Sequence, residues 1–331
     1  MSTAVPPPVT QVMNEAQAWL PPRLAAVEQR LVELVGGHGE MLAGDAGATL
    51  AAGGKRMRPL LVLLCAGPRS GASAIRAATA VELVHMATLV HDDVLDGAPL
   101  RRGHPTVAAR SGRERAIATG DLLFSRAFAE LGTNGAGRQV ELLSTASVAL
   151  AVGELTQRRD AFDTSISAER YLKRCLLKTA RLFECACLIG SVGQDGGDGA
   201  PSPDPGGLAV FGRHIGLAFQ LLDDVLDVTG PPERTGKAVG TDLLDGTVTL
   251  PLILARESDE GLAEIDLSKL DEEGAAAICE RIAATDALDR VRGLARARVD
   301  AAKDELAEAE VPADQRRLLD LVADGVVERY S

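Results

Sequence analysis

Apolar residues recur along most of the chain at intervals of three and four, the spacing of one helical face. Leu24, Val27, Leu31 and Leu34 form the first stripe, which Gly36 and Gly37 stop. Further helices are predicted near 57–66, 75–97, 113–131, 138–160 and 168–190, then near 206–229, 248–257, 271–309 and 313–329. Two breaker-rich connections interrupt them: SVGQDGGDGAPSPDPGG at 191–207, read as a surface excursion, and a Gly/Pro-rich stretch at 230–247. The opening MSTAVPPPVT, with three consecutive prolines, reads as a flexible tail over 1–10. Residues 11–331 read as one domain, since no linker divides the apolar periodicity.

Composition narrows the class. The 331 residues are 46% hydrophobic and 25% charged, which excludes disorder as the whole answer. Only 3% are aromatic, so the core must be aliphatic, which favours packed helices over sheets. A formal net charge of −12 argues against a nucleic-acid partner, because phosphate backbones select basic surfaces. Cys65, Cys175, Cys185, Cys187 and Cys279 include no CxxC pair and no histidine at ligand spacing. They read as small core residues in a reducing compartment. No transmembrane stretch of 18 consecutive apolar residues and no basic, apolar leader is present, and the expected location is the cytoplasm.

The segment IRAATAVELVHMATLVHDDVLDG at 75–97 is apolar around nearly its whole circumference, as in a helix enclosed by others. Its acidic end is the exception. The same run, DDVLD, occurs at 92–96 and at 223–227, each time after an apolar stretch and before a Gly and a Pro. Asp92 and Asp96 share a face at i, i+4, and Asp93 neighbours Asp96 at i, i+3. Like charges at that spacing repel, and they stand at the negative pole of the helix dipole. Stability alone would not select this arrangement. Hard divalent cations resolve it, because Mg²⁺ takes one or two carboxylates and completes its shell with water and phosphate oxygens. Two such clusters facing each other would clamp a phosphorylated ligand. A solvated acidic helix stop is the alternative for a single run, but two identical copies on apolar helices weigh against it. EF-hand spacing is absent.

An anionic ligand also needs cations. GGKRMRP at 53–59 places Lys55, Arg56 and Arg58 after a glycine pair, and RRGHPT at 101–106 places Arg101 and Arg102 just beyond the first acidic run. Arginine offers a planar fork for phosphate, and glycine permits close backbone approach.

At these residues the chain resembles the trans-polyprenyl diphosphate synthases, and the resemblance spans most of its length. It is carried, in order, by GGKRMRP (53–59), ELVHMATLVHDDVLD (82–96), RRGHPT (101–106), GD (120–121), LKTARLFECA (177–186), FQLLDDVLD (219–227) and GKAVGTDLLDGTVTLP (236–251). The resemblance implies an all-α, single-domain helical bundle around a central active-site cavity (the isoprenoid synthase fold), a homodimer, and three Mg²⁺ per site. It implies an enzyme that condenses an allylic diphosphate with isopentenyl diphosphate and releases diphosphate. It implies that Asp92, Asp93, Asp96, Asp223, Asp224 and Asp227 bind metal, with Asp92, Asp96 and Asp223 in direct ligation. By the same resemblance Arg101, Lys178, Thr179, Gln220 and Lys237 contact the allylic diphosphate, and Lys55, Arg58, His85 and Arg102 the isopentenyl diphosphate. One departure stands out: the family commonly has Gly-Lys before its TLP segment, and this chain has Gly246-Thr247. One expected cation is therefore missing; six ionised carboxylates and a diphosphate of about three negative charges set against three Mg²⁺ and the cations Arg101, Lys178 and Lys237 leave roughly zero, so that no third carboxylate pair is needed.

Product length follows from the helix before Asp92. One turn rises 5.4 Å, close to one isoprene unit, so residues one to three turns earlier act as successive gates. Ala87 and Thr88 stand where family members that stop at farnesyl or geranylgeranyl length carry an aromatic, and Val84 and Val81 follow. A methyl group cannot plug a tunnel that a ring would fill. The expected product is C30–C50, such as a quinone side-chain precursor. The alternatives are a geranylgeranyl or farnesylgeranyl diphosphate synthase, a non-catalytic subunit of a heteromeric prenyl synthase, and a class I terpene cyclase. The retention of both DDVLD runs and of the basic pairs weighs against the last two.

Overall fold

The computed structural model describes residues 7–37, 39–54, 56–101, 103–192, 205–230 and 239–328. Among them the architecture is all-helical. The helices are α1 (Pro7–Glu15), α2 (Leu20–Gly36), α3 (Gly39–Ala51), α4 (Met57–Ala66), α5 (Ala72–Leu95), α6 (Val107–Ser111), α7 (Arg113–Gly132), α8 (Gly137–Arg159) and α9 (Ala168–Cys175). A π-helical turn, Leu176–Ala180, joins α9 to α10 (Arg181–Val192), and α11 spans Pro205–Thr229. Short helices Thr241–Leu244, Leu250–Ala255 and Glu260–Ala263 lead to Glu272–Ala283, Ala287–Glu308 and Ala313–Glu328. Extended pairing among the described residues is one small hairpin, β1 (Leu100–Arg101) against β2 (His104–Pro105), with Arg101 opposite His104.

One contiguous apolar core runs from Val12 to Val326. It is mainly aliphatic, and all five cysteines lie buried and unbridged. At roughly 1.5–3 kcal/mol per fully buried aliphatic side chain, this core is the main force holding the helices together. Helix α5 is its centre. Ala77, Ala78, Val81, Leu83, Val84 and Ala87 are fully buried on different sides of it, and α7, α4, α2 and α10 pack around it. By length and composition α5 could cross a membrane, but 67% of its apolar window is buried inside the bundle. Helix α11 packs on α10 and on Ala287–Glu308.

Several expectations change. Residues 7–10, expected in a flexible tail, open α1, which packs on Ala313–Glu328; proline is tolerated in a first helical turn because its missing N–H has no partner there anyway. Residues 1–6 lie outside the described residues. The helix expected over 271–309 breaks at 284–286, where the Thr285 hydroxyl accepts the Ala287 N–H at 3.2 Å and starts a new helix. The connection at 191–207 is shorter than expected, since α10 continues to Val192 and α11 begins at Pro205; residues 193–204 are outside the described set. The stretch 230–247 contains the helix Thr241–Leu244, and residues 231–238 are outside the described set.

Candidate active site

The C-terminal ends of α5 and α11 border one cavity of about 240 Å³. Asp92 and Asp96 from the first acidic run and Asp224 from the second line it, together with Arg101, Lys178, Thr179 and Gln220. Seven residues singled out in the sequence thus converge on one space. They come from the end of α5, the hairpin, the π-turn and α11. The π-turn matters locally: one extra residue in the helical register changes the direction of Lys178 and Thr179 relative to a regular helix.

The three acids of each run take different partners. Asp92 lies 3.9 Å from Lys178 Nζ. Asp93 is buried and accepts from Arg101 Nε at 2.7 Å. Asp96 is ion-paired with Arg158 of α8. In the second run Asp224 is buried and accepts from Gln220 Nε2 at 2.8 Å and from the Tyr171 hydroxyl. The Thr179 hydroxyl donates to Gln220 Oε1 at 2.7 Å, which fixes the amide and ties the π-turn to α11. Asp227 Oδ2 accepts the Asp242 N–H at 3.1 Å and its carbonyl accepts the Gly240 N–H at 2.9 Å, anchoring the segment after α11. Asp223 is half-buried, within electrostatic reach of Arg58.

Sequence reasoning missed much of the wall. Asp242, Asp245, Gln157, Tyr171, Arg174, Cys175, Thr247 and Thr249 also line the cavity. Asp242 and Asp245 sit in GTDLLDGT, an acidic i, i+3 pair whose signal was readable but unused. The charge balance counted neither of these two acids. Glu154 and Arg158 stand at i, i+4 on α8 and pair at 3.0 Å. Glu154 also pairs with Lys178, so a chain of alternating charge runs Asp92, Lys178, Glu154, Arg158, Asp96. Nothing in the sequence spacing joins 154 to 178.

Several expected site residues lie elsewhere. Arg58 stacks 4.5 Å over the Phe183 ring, and its Nε has no hydrogen-bond partner among the described residues. Burial pulls its pKa down to about 10, against the opposing pull of Glu82 and Asp223. Its neighbour Arg56 is committed to Glu28 and to Glu82, the latter at 2.8 Å. His85 is half-buried on α5, with its carbonyl accepting the Thr88 hydroxyl at 2.8 Å. Val81, Val84 and Ala87 are fully buried and Thr88 half-buried, and none of the four borders the cavity. Lys55, Arg102 and Lys237 lie outside the described residues.

The electrostatics fit a hard divalent cation. Burial, with Glu154 and Asp96 nearby, pushes the Asp92 carboxyl up to about 6 although Lys178 opposes the shift. Asp224 is raised well above the carboxylate range by burial first and then by Asp242. Lys178 is held above its ordinary value because Asp92 and Glu154 outweigh the effect of burial. Carboxylate and hydroxyl oxygens gathered in one cavity are the donor set such an ion takes. Among the described residues no three of these groups close around a single point, so water and phosphate oxygens must complete any coordination shell.

Comparison with known proteins shows the family and the fold. Residues 40–281 match the family model described as polyprenyl synthetase. Over 283 residues, 84% of this chain and 87% of the relative, the sequence is 39% identical to heptaprenyl diphosphate synthase component 2 of Geobacillus stearothermophilus. A polyprenyl synthase from Caulobacter crescentus, crystallised with calcium and isoprenyl diphosphate, superposes with a TM-score of 0.90 at 34% identity over 100% of both chains. A decaprenyl diphosphate synthase from Rhodobacter capsulatus gives 0.85 at 32% identity, covering 97% of this chain and 99% of that one. With 242 consecutive residues matched to the family model and the fold shared end to end, the chain belongs to the polyprenyl synthetase family of prenyltransferases.

Proposed function

We propose that this prenyltransferase elongates an allylic diphosphate by head-to-tail condensation with isopentenyl diphosphate to a C30–C50 product, with Mg²⁺, three ions per site, as its metal. The observation that carries this reading is that both DDVLD runs contribute acids to one cavity that also holds Arg101 and Lys178. Asp92, Asp96 and Asp223 would ligate the metal on the allylic diphosphate directly, with Asp93, Asp224 and Asp227 completing the acidic site. When bound, the metal supplies positive charge that stabilises the departing diphosphate. Lys178, Thr179, Gln220, Arg101 and Lys237 bind and orient that group. The Gln220–Thr179 bond presets the orientation of the amide before substrate arrives. Lys55, Arg58, His85 and Arg102 hold the diphosphate of isopentenyl diphosphate so that its π bond faces the allylic carbon. Cleavage of the C–O bond leaves an allylic cation, the π bond attacks it, and a proton is lost to the released diphosphate. No protein nucleophile is required.

Names of similar proteins support the length, since they include heptaprenyl and decaprenyl synthases. On this reading Val81, Val84, Ala87 and Thr88, small side chains on α5 before Asp92, set the length of the chain. The test is incubation of the purified chain alone with Mg²⁺, isopentenyl diphosphate and several allylic primers, with mass analysis of the product. A C30–C50 diphosphate is expected. Absence of any isopentenyl-dependent product would refute the reading.

A homodimer is proposed from α8, where Val148, Val152 and Leu155 are 62%, 46% and 70% exposed at i, i+4 and i+7. Such an apolar stripe is characteristic of an interface, and a cytoplasmic dimer would bury it. A monomer in sedimentation at micromolar concentration would contradict this. A second reading rests on the Geobacillus relative being named a component of its synthase. In that case the purified chain would need a partner for activity, and the same incubation separates the two.

A further inference from the structure

We infer that Arg174 is a further diphosphate-binding residue and supplies the cation absent at Thr247. This rests on the reading of the cavity as a diphosphate site and assigns a residue to it. Arg174 is on the last turn of α9, four residues before Lys178, and lines the same cavity. It is only 3% exposed. Its Nη2 donates to the Val248 carbonyl at 2.6 Å, which pins the guanidinium beside Thr247. Its other side faces the Tyr171 ring, 5.4 Å from the centroid, and the Tyr171 hydroxyl donates to Asp224. The arginine is thus packed against both the 247–249 segment and the second acidic run.

Its Nη1 is shielded from solvent and has no hydrogen-bond partner among the described residues. The acids that line the cavity do not accept from it. A buried guanidinium N–H left without an acceptor is costly, and packing alone gives no reason to keep it. If its task were only to hold the Val248 carbonyl, a single donor would suffice. A planar fork spans two acceptors, one on the protein and one on a ligand. Thr247 and Thr249, next to that carbonyl, line the cavity with hydroxyls and bring no charge. An anionic diphosphate oxygen is the acceptor whose chemistry matches the free arm.

The test measures the dissociation constant of inorganic diphosphate in Mg²⁺ and the KM for the allylic diphosphate. Arg174→Gln should weaken both about tenfold or more, since a charge-assisted hydrogen bond is lost. Thr247→Lys placed in the Arg174→Gln background should restore most of the loss, which a merely structural role of the arginine would not permit. If Arg174→Gln does not fold, Arg174→Lys serves, because a lysine cannot serve both acceptors. An affinity loss in that variant, repaired by Thr247→Lys, supports the inference. Wild-type affinity in a folded variant, or a loss that Thr247→Lys leaves unchanged, overturns it. A wild-type chain that binds no diphosphate and elongates no primer overturns the reading of the cavity itself, whereas a wild-type chain that binds and elongates normally, with Arg174 variants that do the same, overturns only the role of Arg174.

Discussion

Gly153 of α8 lies against the backbone of Lys178, so that a Cβ at 153 would stand 2.6 Å from the lysine amide nitrogen and 2.9 Å from its Cα. On the opposite side Gly216 of α11 is as close to Ala180, where a Cβ would come within 2.6 Å of Cα. The π-turn that carries Lys178 and Thr179 is therefore held between two glycines. Neither glycine is needed for its own dihedral angles; each is needed because backbone approaches backbone.

Gly153→Ala should move this turn. Alanine in a helix interior is otherwise favoured over glycine by roughly 0.5–1 kcal/mol, so a simple propensity effect would stabilise the protein. Instead kcat/KM should fall at least about tenfold, with KM for the allylic diphosphate raised, as steady-state kinetics would measure. Wild-type kinetics in this variant would show that the close approach does not position Lys178.

Asp92 makes stability depend on pH. Its carboxyl is raised in the folded protein from an ordinary 3.8 to about 6, so the folded state binds more protons than the unfolded state between those values. The contribution is fully present below about pH 4 and is lost as pH rises through about 6, with a size on the order of 2–3 kcal/mol. Melting temperature without divalent ions should fall over that window, and Asp92→Asn should flatten the fall. Mg²⁺ favours the ionised form, so it should raise the melting temperature at pH 7.5 and have little effect at pH 4.5. Equal Mg²⁺ stabilisation at both pH values would contradict the role given to Asp92.

The parts of this structure that were legible in the sequence are those governed by local periodicity and repetition. Helices α4, α7 and α8 lie within a residue or so of their expected limits, the two DDVLD runs pointed to the cavity and to three of its residues, Asp92, Asp96 and Asp224, and the family resemblance added Arg101, Lys178, Thr179 and Gln220. What escaped depends on tertiary contact. The π-turn arises where α8 and α11 approach, and no local signal distinguishes it from regular helix in LLKTA. Glu154 and Arg158 look like an ordinary solvated i, i+4 pair until Lys178 and Asp96 are seen on either side of them. Arg174 looks like the basic end of a short amphipathic helix, and its burial follows only from the packing of 247–249 over it. The resemblance read from the sequence marked the missing lysine at 247, but not which neighbour faces that place.

Ala87 tests the product length. It is fully buried on α5, with Val84 and Val81 in succession before it, and on the proposed reading the growing chain passes beside it, where a phenyl ring would block it. Ala87→Phe should shift the product toward C15–C20 by mass analysis, with the primer still consumed. An unchanged distribution would mean that another surface sets the length.

The claim that both acidic runs act on a single diphosphate is tested most directly by the turnover of purified Asp92→Ala and Asp223→Ala, one from each run, with folding verified by circular dichroism. Loss of either carboxylate should lower kcat by at least about a hundredfold, the scale on which losing one preorganised electrostatic group acts. Near-normal turnover in either folded variant would contradict it.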